Sequence, residues 1–399
     1  MKKHLLSIGI AGILSLGACT DSVEVAEPER FIRYYGSAYD DEGYAVASLP
    51  GEGYLLAGNS QAASPEGTRF TRMYAARTDL NGRVLWERTY GGNSAFTNAS
   101  HVLADDEGGA ILYGTVTSHE GDMDVLLLRT DAAGSVMDSI TYGIPGQDDI
   151  AATILKTQSG FILGNTIGEN GKVTDVALRE IDAAGSTLWT ENYGNIGPLR
   201  SISSVVQTAS GYAWAGTVAR GSDNEIVLVA TDSQGAILSQ QNILPEGASS
   251  IRSAGMQRTG GQYLLAGNVH TGSGKRIAIM NIRLTGNTFA VEQTKIISGN
   301  SDQEINWAEP SGNGGLLLGG YYDNGLSLED WMLIKTDREG NELWRKSYGS
   351  GTGPDEIHHI TRTPLGDILL LGTVHFANNS IIALYKTDNQ GNILDSTPQ

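Results

Sequence analysis

The stretch that decides the fold is Thr78-Asp79-Leu80-Asn81-Gly82-Arg83-Val84-Leu85-Trp86, completed by Tyr90-Gly91. Phrases close to it return about every 50 to 53 residues along the chain. A chain made of one recurring unit takes its fold from that unit, so this period outranks any single residue. The aspartate of the phrase marks the copies at Asp79, Asp131, Asp182, Asp232, Asp337 and Asp388, with a degenerate copy near Leu284.

A second marker has the same period. It is the glycine that closes the apolar run in each unit, found at Gly58, Gly114, Gly164, Gly216, Gly267, Gly320 and Gly372. Two independent markers with one period indicate seven units.

Each unit contains four short strand-like runs. In the second unit they cover residues 100–103, 110–116, 125–130 and 135–142, separated by turns rich in Gly and Asp. Short runs of this kind, closely spaced, are typical of antiparallel hairpins. We find no long window with a helical stripe after the N-terminal segment, so almost no helix is expected.

Four antiparallel strands repeated seven times predict an all-β, seven-bladed β-propeller over residues 30–399. Residues 30–36 resemble the end of a fourth strand, with Tyr35-Gly36 in the place of Tyr90-Gly91. The last unit reaches its own fourth strand at Ile393-Leu394 and stops. The N-terminal strand is therefore predicted to complete the last blade and close the ring, which removes an exposed sheet edge.

Two features of the phrase have structural interpretations. An aspartate that begins a turn can accept a backbone hydrogen bond from two residues further on, and the glycine tolerates positive φ, so we favour turn chemistry over metal binding. Trp86 and Tyr90 lie four apart and share one face of a strand. We expect them to pack against the adjacent sheet; the alternative is ligand stacking.

The N-terminus carries a second strong signal. Two lysines precede a short apolar run over residues 5–16, which is too short for an ordinary membrane-spanning helix. The run ends in Leu16-Gly17-Ala18-Cys19, which resembles the lipobox of bacterial lipoproteins. That resemblance implies a signal peptide over residues 1–18, a lipid on Cys19, and a polar tether over residues 19–29.

Cys19 is the only cysteine, so neither a disulfide nor thiol chemistry is expected in the mature body. The inner-membrane retention signal of enteric bacteria has aspartate directly after the lipidated cysteine. Here Thr20 intervenes before Asp21, so sorting to the outer membrane is predicted, with the facing side left open.

The chain is acidic, with a formal net charge of −18. Like charge repels nucleic acid and anionic membrane surfaces, so neither is expected as a direct partner, and membrane contact should come from the lipid. Glycine supplies 52 of 399 residues, as many tight turns require. We expect one domain and a monomeric ring.

The mature chain resembles a family of repeat lipoproteins from the surface and outer membrane of Bacteroidota. The resemblance rests on Lys335-Thr336-Asp337-Arg338-Glu339-Gly340-Asn341-Glu342-Leu343-Trp344 and on Lys386-Thr387-Asp388-Asn389-Gln390-Gly391. It implies a propeller and an envelope location without a defined activity. The phrase is also distantly similar to quinoprotein-like propeller repeats, but the chain lacks their Thr before Gly and their vicinal cysteines. No cofactor is therefore predicted.

Acidic residues follow several Tyr-Gly pairs, where loops should converge at the channel mouth. They are Asp40, Asp41, Glu42, Asp148, Asp149, Asp302, Glu304, Asp355 and Glu356. Carboxylates facing one another across a ring would suit a hard cation such as Ca²⁺, or acid–base work on a sugar. The plainer interpretation is a repeated strand cap in solvated loops.

Two other residue types near the mouth carry chemistry, histidine and tryptophan. His358 and His359 follow the acidic pair of the seventh unit, and His101 has a similar place in the second. Neighbouring residues on a strand point to opposite faces, so at most one of the two is expected in the channel, as a base, a ligand or a satisfied polar group. Trp307 is either a sugar-stacking platform or buried between blades.

No catalytic signature is present: we find neither a Gly-x-Ser-x-Gly elbow, nor His-Glu-x-x-His, nor a phosphate-cradling loop. The first functional hypothesis is a non-catalytic binding or scaffolding module that engages an outer-membrane protein complex or a glycan. The rival is a polysaccharide hydrolase or lyase that uses the mouth carboxylates and a histidine.

Overall fold

The computed structural model describes residues 30–393, apart from 38, 64–66, 68, 93–95, 120, 170, 260, 324, 326–327, 350–352 and 377–378. The predicted signal peptide, Cys19 and the tether lie outside the described residues and stay predictions. Within the described part, no helix is both long and apolar enough to cross a membrane.

Seven four-stranded antiparallel sheets form the blades of a propeller, as the period predicts. The first blade comprises β2 (Asp41–Leu49), β3 (Gly53–Ala63), β4 (Arg69–Thr78) and β5 (Val84–Tyr90). The second comprises β6 (Thr97–Ala104), β7 (Ala110–Thr117), β8 (Met123–Thr130) and β9 (Val136–Tyr142). The third comprises β10 (Asp148–Lys156), β11 (Gly160–Glu169), β12 (Lys172–Asp182) and β13 (Thr187–Asn192), followed by a short 3₁₀ helix (Gly194–Ile196).

The fourth blade comprises β14 (Leu199–Gln207), β15 (Gly211–Arg220), β16 (Asp223–Asp232) and β17 (Ile237–Ile243). The fifth comprises β18 (Ala248–Thr259), β19 (Gln262–Thr271), β20 (Gly274–Thr285) and β21 (Thr288–Ile297). The sixth comprises β22 (Gln303–Pro310), β23 (Leu316–Asp323), β24 (Glu329–Thr336) and β25 (Glu342–Tyr348). The seventh comprises β26 (Glu356–Arg362), β27 (Ile368–His375), β28 (Ser380–Thr387) and the N-terminal strand β1 (Phe31–Tyr35).

The predicted ring closure is confirmed. Strand β1 pairs with β28 in antiparallel register, from Phe31 opposite Lys386 to Tyr35 opposite Ile382. The outermost strand of the last blade therefore comes from the opposite end of the chain. This pairing covers the edge that β28 would otherwise expose.

The hydrophobic core is divided among the spaces between blades. Seven clusters of buried side chains occur, and each joins two adjacent blades. The cluster between the first two blades, for example, packs Leu55 and Met73 against Leu112 and Leu126. Each blade has two apolar faces, and each face is buried only by a neighbouring blade.

The repeated aspartates make turns, as predicted. The Oδ1 atom of Asp79 accepts hydrogen bonds from the backbone nitrogens of Asn81 and Arg83, each at 2.8 Å. The same pair of bonds recurs at Asp131, Asp182, Asp232 and Asp388. The glycine between the two donors has φ of 73° at Gly82, a left-handed conformation that favours glycine.

The Tyr and Trp of the phrase join each blade to the turn of the next. The Tyr90 hydroxyl donates to the carbonyl of Gly134 at 2.8 Å, and Trp86 Nε1 donates to the carbonyl of Ala132 at 2.9 Å. A Cβ on Gly134 would come within 3.0 Å of the Trp86 ring, so the turn also needs glycine for space. The predicted packing against the adjacent sheet is confirmed.

We call the hydrogen bond from the tyrosine hydroxyl to the turn glycine the tyrosine latch. It joins Tyr35 to Gly82, Tyr90 to Gly134, Tyr142 to Gly185, Tyr193 to Gly235, and Tyr348 to Gly391, at 2.7 to 2.8 Å. The fourth and fifth blades end instead in the buried residues Ile243 and Ile297. At the interfaces of these two blades with the next blade, the isoleucine makes the apolar contact but no hydroxyl is present to donate a hydrogen bond.

We expect Tyr193→Phe to lower the free energy of unfolding by about 1 kcal/mol, because the buried carbonyl of Gly235 loses its donor. Chemical denaturation measures the change. The matched control is Tyr39→Phe, which removes the same atom from an exposed ring. Equal stability of the two variants would contradict a structural role for the latch.

Candidate functional site

Every innermost strand carries a β-bulge at the same place. The pairing register of all seven strands shifts there, at Tyr44, Ser100, Ala152, Ser203, Ala254, Asn306 and His358. A bulge inserts one unpaired residue and interrupts the alternation of side chains. All seven bulged residues line one cavity on the ring axis, with a volume of about 770 Å³.

The bulges explain the second sequence marker. A Cβ on Gly114 would lie 1.9 Å from the carbonyl oxygen of Asn98, and one on Gly320 would lie 2.1 Å from that of Glu304. The same close approach occurs at Gly58, Gly216 and Gly372. The repeated glycine, which has no Cβ, therefore allows the backbone of the bulged inner strand to approach the second strand of its blade closely.

Of His358 and His359, only His358 is among the described residues that line the cavity, at the bulge position of its strand. His358 lines the cavity, with its ring 5.0 Å from the Tyr44 ring. The His359 ring lies 4.1 Å from the ring of Trp307, which also lines the cavity.

An aromatic group closes the bottom of the cavity. The Trp307 ring lies between the rings of His359 and His101, at 4.1 Å and 5.7 Å. A smaller chamber of about 160 Å³ lies beyond it and is also lined by His101 and Trp307. We call these three residues the aromatic floor. Trp307 is thus at the channel as well as packed against the core between the sixth and seventh blades.

His101, His358 and His359 are neutral near pH 7. Burial lowers the pKa of His101 and of His358 to about 4, and it lowers the pKa of His359 to about 3, with a further contribution from His101. Below the floor, burial raises the pKa of Glu309 to about 7. Its carboxyl lies near the Trp307 indole nitrogen without meeting hydrogen-bond geometry.

Three of the acidic residues expected in solvated loops are instead buried caps. Asp149 accepts hydrogen bonds from Ile144 N at 2.9 Å and from Asn165 Nδ2 at 2.8 Å. Asp355 accepts one from His375 N at 2.8 Å, and Asp41 accepts one from Ser37 N. The expectation of solvated loops is wrong for these three, because their carboxylates hold the loop or strand beside the start of each inner strand.

The remaining predicted acids are engaged within the protein. Glu304 lines the cavity and forms ion pairs with Arg252 and Lys275. Asp302 accepts from Lys275 N at 3.0 Å, and Asp148 accepts from Met123 N at 3.2 Å. Glu356 accepts from Asn306 Nδ2 at 3.2 Å, and burial raises its pKa.

The structure does not bring the predicted acids together as a metal site. Among the described residues, no group of three or more His, Cys, Asp or Glu side chains is arranged to hold a metal ion. Calcium at the mouth stays a prediction without support from this geometry.

Sequence reasoning missed several lining residues. Tyr44, Arg200 and Arg252 line the cavity together with a wall of serine, threonine and asparagine side chains. The signal that points to Tyr44 is the repeated glycine in the interior of the second strand, since such a glycine marks a bulge opposite it. No local pattern marks the two arginines.

We expect acid to destabilise wild type more steeply than the variant His101→Asn/His359→Asn. The folded-state pKa values lie below the unfolded value of about 6.5, so the unfolded state binds protons first as the pH falls. The stability that the neutral histidines contribute is therefore lost between about pH 6.5 and 4, at up to about 1.4 kcal/mol per pH unit per histidine.

Denaturation across this pH range, with exposed His270→Asn as the control, measures the difference in slope. Glu309, with its raised pKa, gives the opposite trend in every variant, so the difference between variants is the informative quantity. Parallel pH profiles for wild type and the double variant would show that the histidines are not held neutral.

No protein-family model matches this sequence, and no curated protein matches it. Among solved structures, Sqt1 from Chaetomium thermophilum is 11% identical, with 90% of this chain and 99% of that chain covered and a TM-score of 0.52. An ulvan lyase of polysaccharide lyase family PL25 is 13% identical, covering 90% and 97%, with a TM-score of 0.48. A protein of unknown function from Dyadobacter fermentans is 12% identical, covering 90% and 97%, with a TM-score of 0.47. At identities this low, the similarity concerns the fold alone.

Proposed function

We propose that this protein is a lipid-anchored envelope propeller that binds a carbohydrate chain in its axial cavity, without catalysing a reaction on it. The observation that carries the proposal is the aromatic floor beneath a wall of hydroxyl and amide side chains. A sugar ring offers C–H groups to an aromatic face and hydroxyls to polar groups, and this cavity supplies both kinds of surface.

The polar wall suits uncharged hydroxyl groups. Ser100, Ser203 and Asn306 come from bulge positions, and Ser253 lies beside Ser203. Hydroxyls and amides both donate and accept hydrogen bonds, so they can match sugar hydroxyls of either orientation. The cavity is also large enough for a few sugar units at 770 Å³, within the ordinary range of ligand pockets.

The state of the carboxylates argues against glycoside hydrolysis. That reaction ordinarily needs two carboxyl groups facing the scissile bond, one as acid and one as base or nucleophile. Among the described residues that line the cavity, Glu304 is the only one with a carboxylate, and it is neutralised by Arg252 and Lys275. Asp149 and Asp355 are committed to capping bonds.

One observation favours a second candidate, a polysaccharide lyase. Neutral His358 lies beside Tyr44, whose hydroxyl donates to Glu42 at 2.6 Å. A neutral imidazole can take a proton from a sugar carbon, and a phenol can donate one to the leaving oxygen. Arg200 lines the same cavity and would offset charge on an acidic sugar.

We expect Trp307→Ala to weaken binding of oligosaccharides of four to six units by about tenfold or more, because the stacking face is lost. Isothermal titration with a panel of neutral and acidic oligosaccharides measures the effect. Trp307→Phe keeps an aromatic face and should retain most of the affinity. Trp344→Ala is the matched control, since that residue lies on the outer strand of the sixth blade.

The same samples decide between binding and catalysis. Binding by wild type with no change in the oligosaccharides supports the proposal. Release of unsaturated sugar ends by wild type, lost in His358→Ala, would replace it with the lyase. No binding by wild type to any member of the panel would overturn it in favour of a protein-scaffolding role in an outer-membrane complex.

The envelope location rests on the lipobox-like residues before Cys19. We expect Cys19→Ser to abolish incorporation of labelled palmitate and to move the protein from the membrane fraction to the soluble fraction, because one residue carries the anchor. The purified body should keep the unfolding midpoint of wild type, as residue 19 precedes the propeller. Membrane retention of the variant would refute the anchor.

A further inference from the structure

We infer that the bound carbohydrate is acidic, and that Arg200 binds a carboxylate or sulfate group on it. This inference rests on the proposed function, because it concerns the ligand of the same axial cavity. The charged groups at the cavity differ in whether they already have partners within the protein.

Two positions before the bulge, three of the inner strands carry an acid, namely Glu42, Glu304 and Glu356, and each of these acids is engaged. Tyr44 donates its hydroxyl to Glu42 at 2.6 Å. Asn306 donates to Glu356 at 3.2 Å. Glu304 is paired with both Arg252 and Lys275, so that Arg252 is also committed. Each of these three carboxylates therefore already has a hydrogen-bond donor or an ion-pair partner within the protein.

Arg200 is the exception among the charged lining residues. It occupies a second bulge of β14, between Leu199 and Ser201, and it is exposed where it lines the cavity. It makes no hydrogen bond or ion pair with a described residue. A guanidinium presents a rigid fork of donors that matches the two oxygens of a carboxylate or sulfate.

The surroundings of Arg200 suit a sugar that carries such a group. Ser222 and Asn224, from the same blade, line the cavity with it and can bind adjacent hydroxyls. Because the chain has a net charge of −18, the protein as a whole repels anions. An acidic ligand therefore needs a local cation in the cavity. Arg200 supplies this positive charge, because the other charged residues of the lining, Arg252 and Glu304, are paired with each other.

The test compares oligogalacturonate with its carboxyl-reduced counterpart of equal length, in which each carboxylate is replaced by a hydroxymethyl group, and with a sulfated galactan oligosaccharide. We expect wild type to bind an acidic ligand about tenfold or more tightly than the neutral one, by titration calorimetry at low salt. Arg200→Gln should remove that preference while keeping the affinity for the neutral ligand. Added NaCl should reduce the preference in wild type.

Arg258→Gln is the control, because Arg258 is an exposed arginine on the inner strand β18 outside the cavity lining and its loss changes the net charge equally. The stronger of the two acidic ligands identifies carboxylate or sulfate as the group recognised. Equal affinity of wild type for neutral and acidic ligands, or equal weakening of both by Arg200→Gln, would overturn this inference and leave carbohydrate binding intact. Failure of every oligosaccharide to bind would overturn both.

Discussion

The structure depends on the burial of apolar side chains between neighbouring blades, because a single blade cannot bury its own two faces. Each four-stranded sheet has an apolar set on both faces, and all seven buried clusters join adjacent blades. The tyrosine latch gives the contact a direction at five of the seven interfaces, where the outer strand of one blade bonds to the turn of the next. The outer strand of the last blade can reach such a turn only if the ring closes. Strand β1 meets that condition, because it supplies Tyr35 to the turn of Gly82.

A second constraint acts at the centre of the ring. In every blade but the third, the bulged inner strand brings a backbone carbonyl close to the repeated glycine of the second strand, as at Gly114 and Gly320, where a side chain would collide with it. The glycine thus permits the bulge, and the bulge turns an additional side chain toward the axis. The β-bulge, repeated in all seven blades, thus forms the backbone of the cavity wall and leaves the choice of side chain free at each bulged position.

The sequence predicts those structural features that depend on local turn chemistry or on the repeat period. The turn at Asp79, the packing of Trp86 and closure by residues 31–35 follow from spacing and turn chemistry, and the structure contains all three. The failures occur where tertiary contacts decide. Asp149 was expected in a solvated loop, yet Asn165 on the paired strand and the Ile144 backbone enclose it. Arg200 belongs to no pattern, and only the fold shows that it lines the cavity.

The contrast between repeated and varied positions indicates where function lies in a ring of equal units. The turn aspartate, the turn glycine and the latch tyrosine recur because each has the same structural task at nearly every blade. The bulge positions have equivalent backbones, but their residues range from Ala152 and Ser203 to Tyr44 and His358. The same bulge forms with these different side chains, so the fold does not require a particular side chain there. An asymmetric set of side chains at symmetric positions can instead hold an asymmetric ligand in one orientation, which is what recognition of a sugar chain requires.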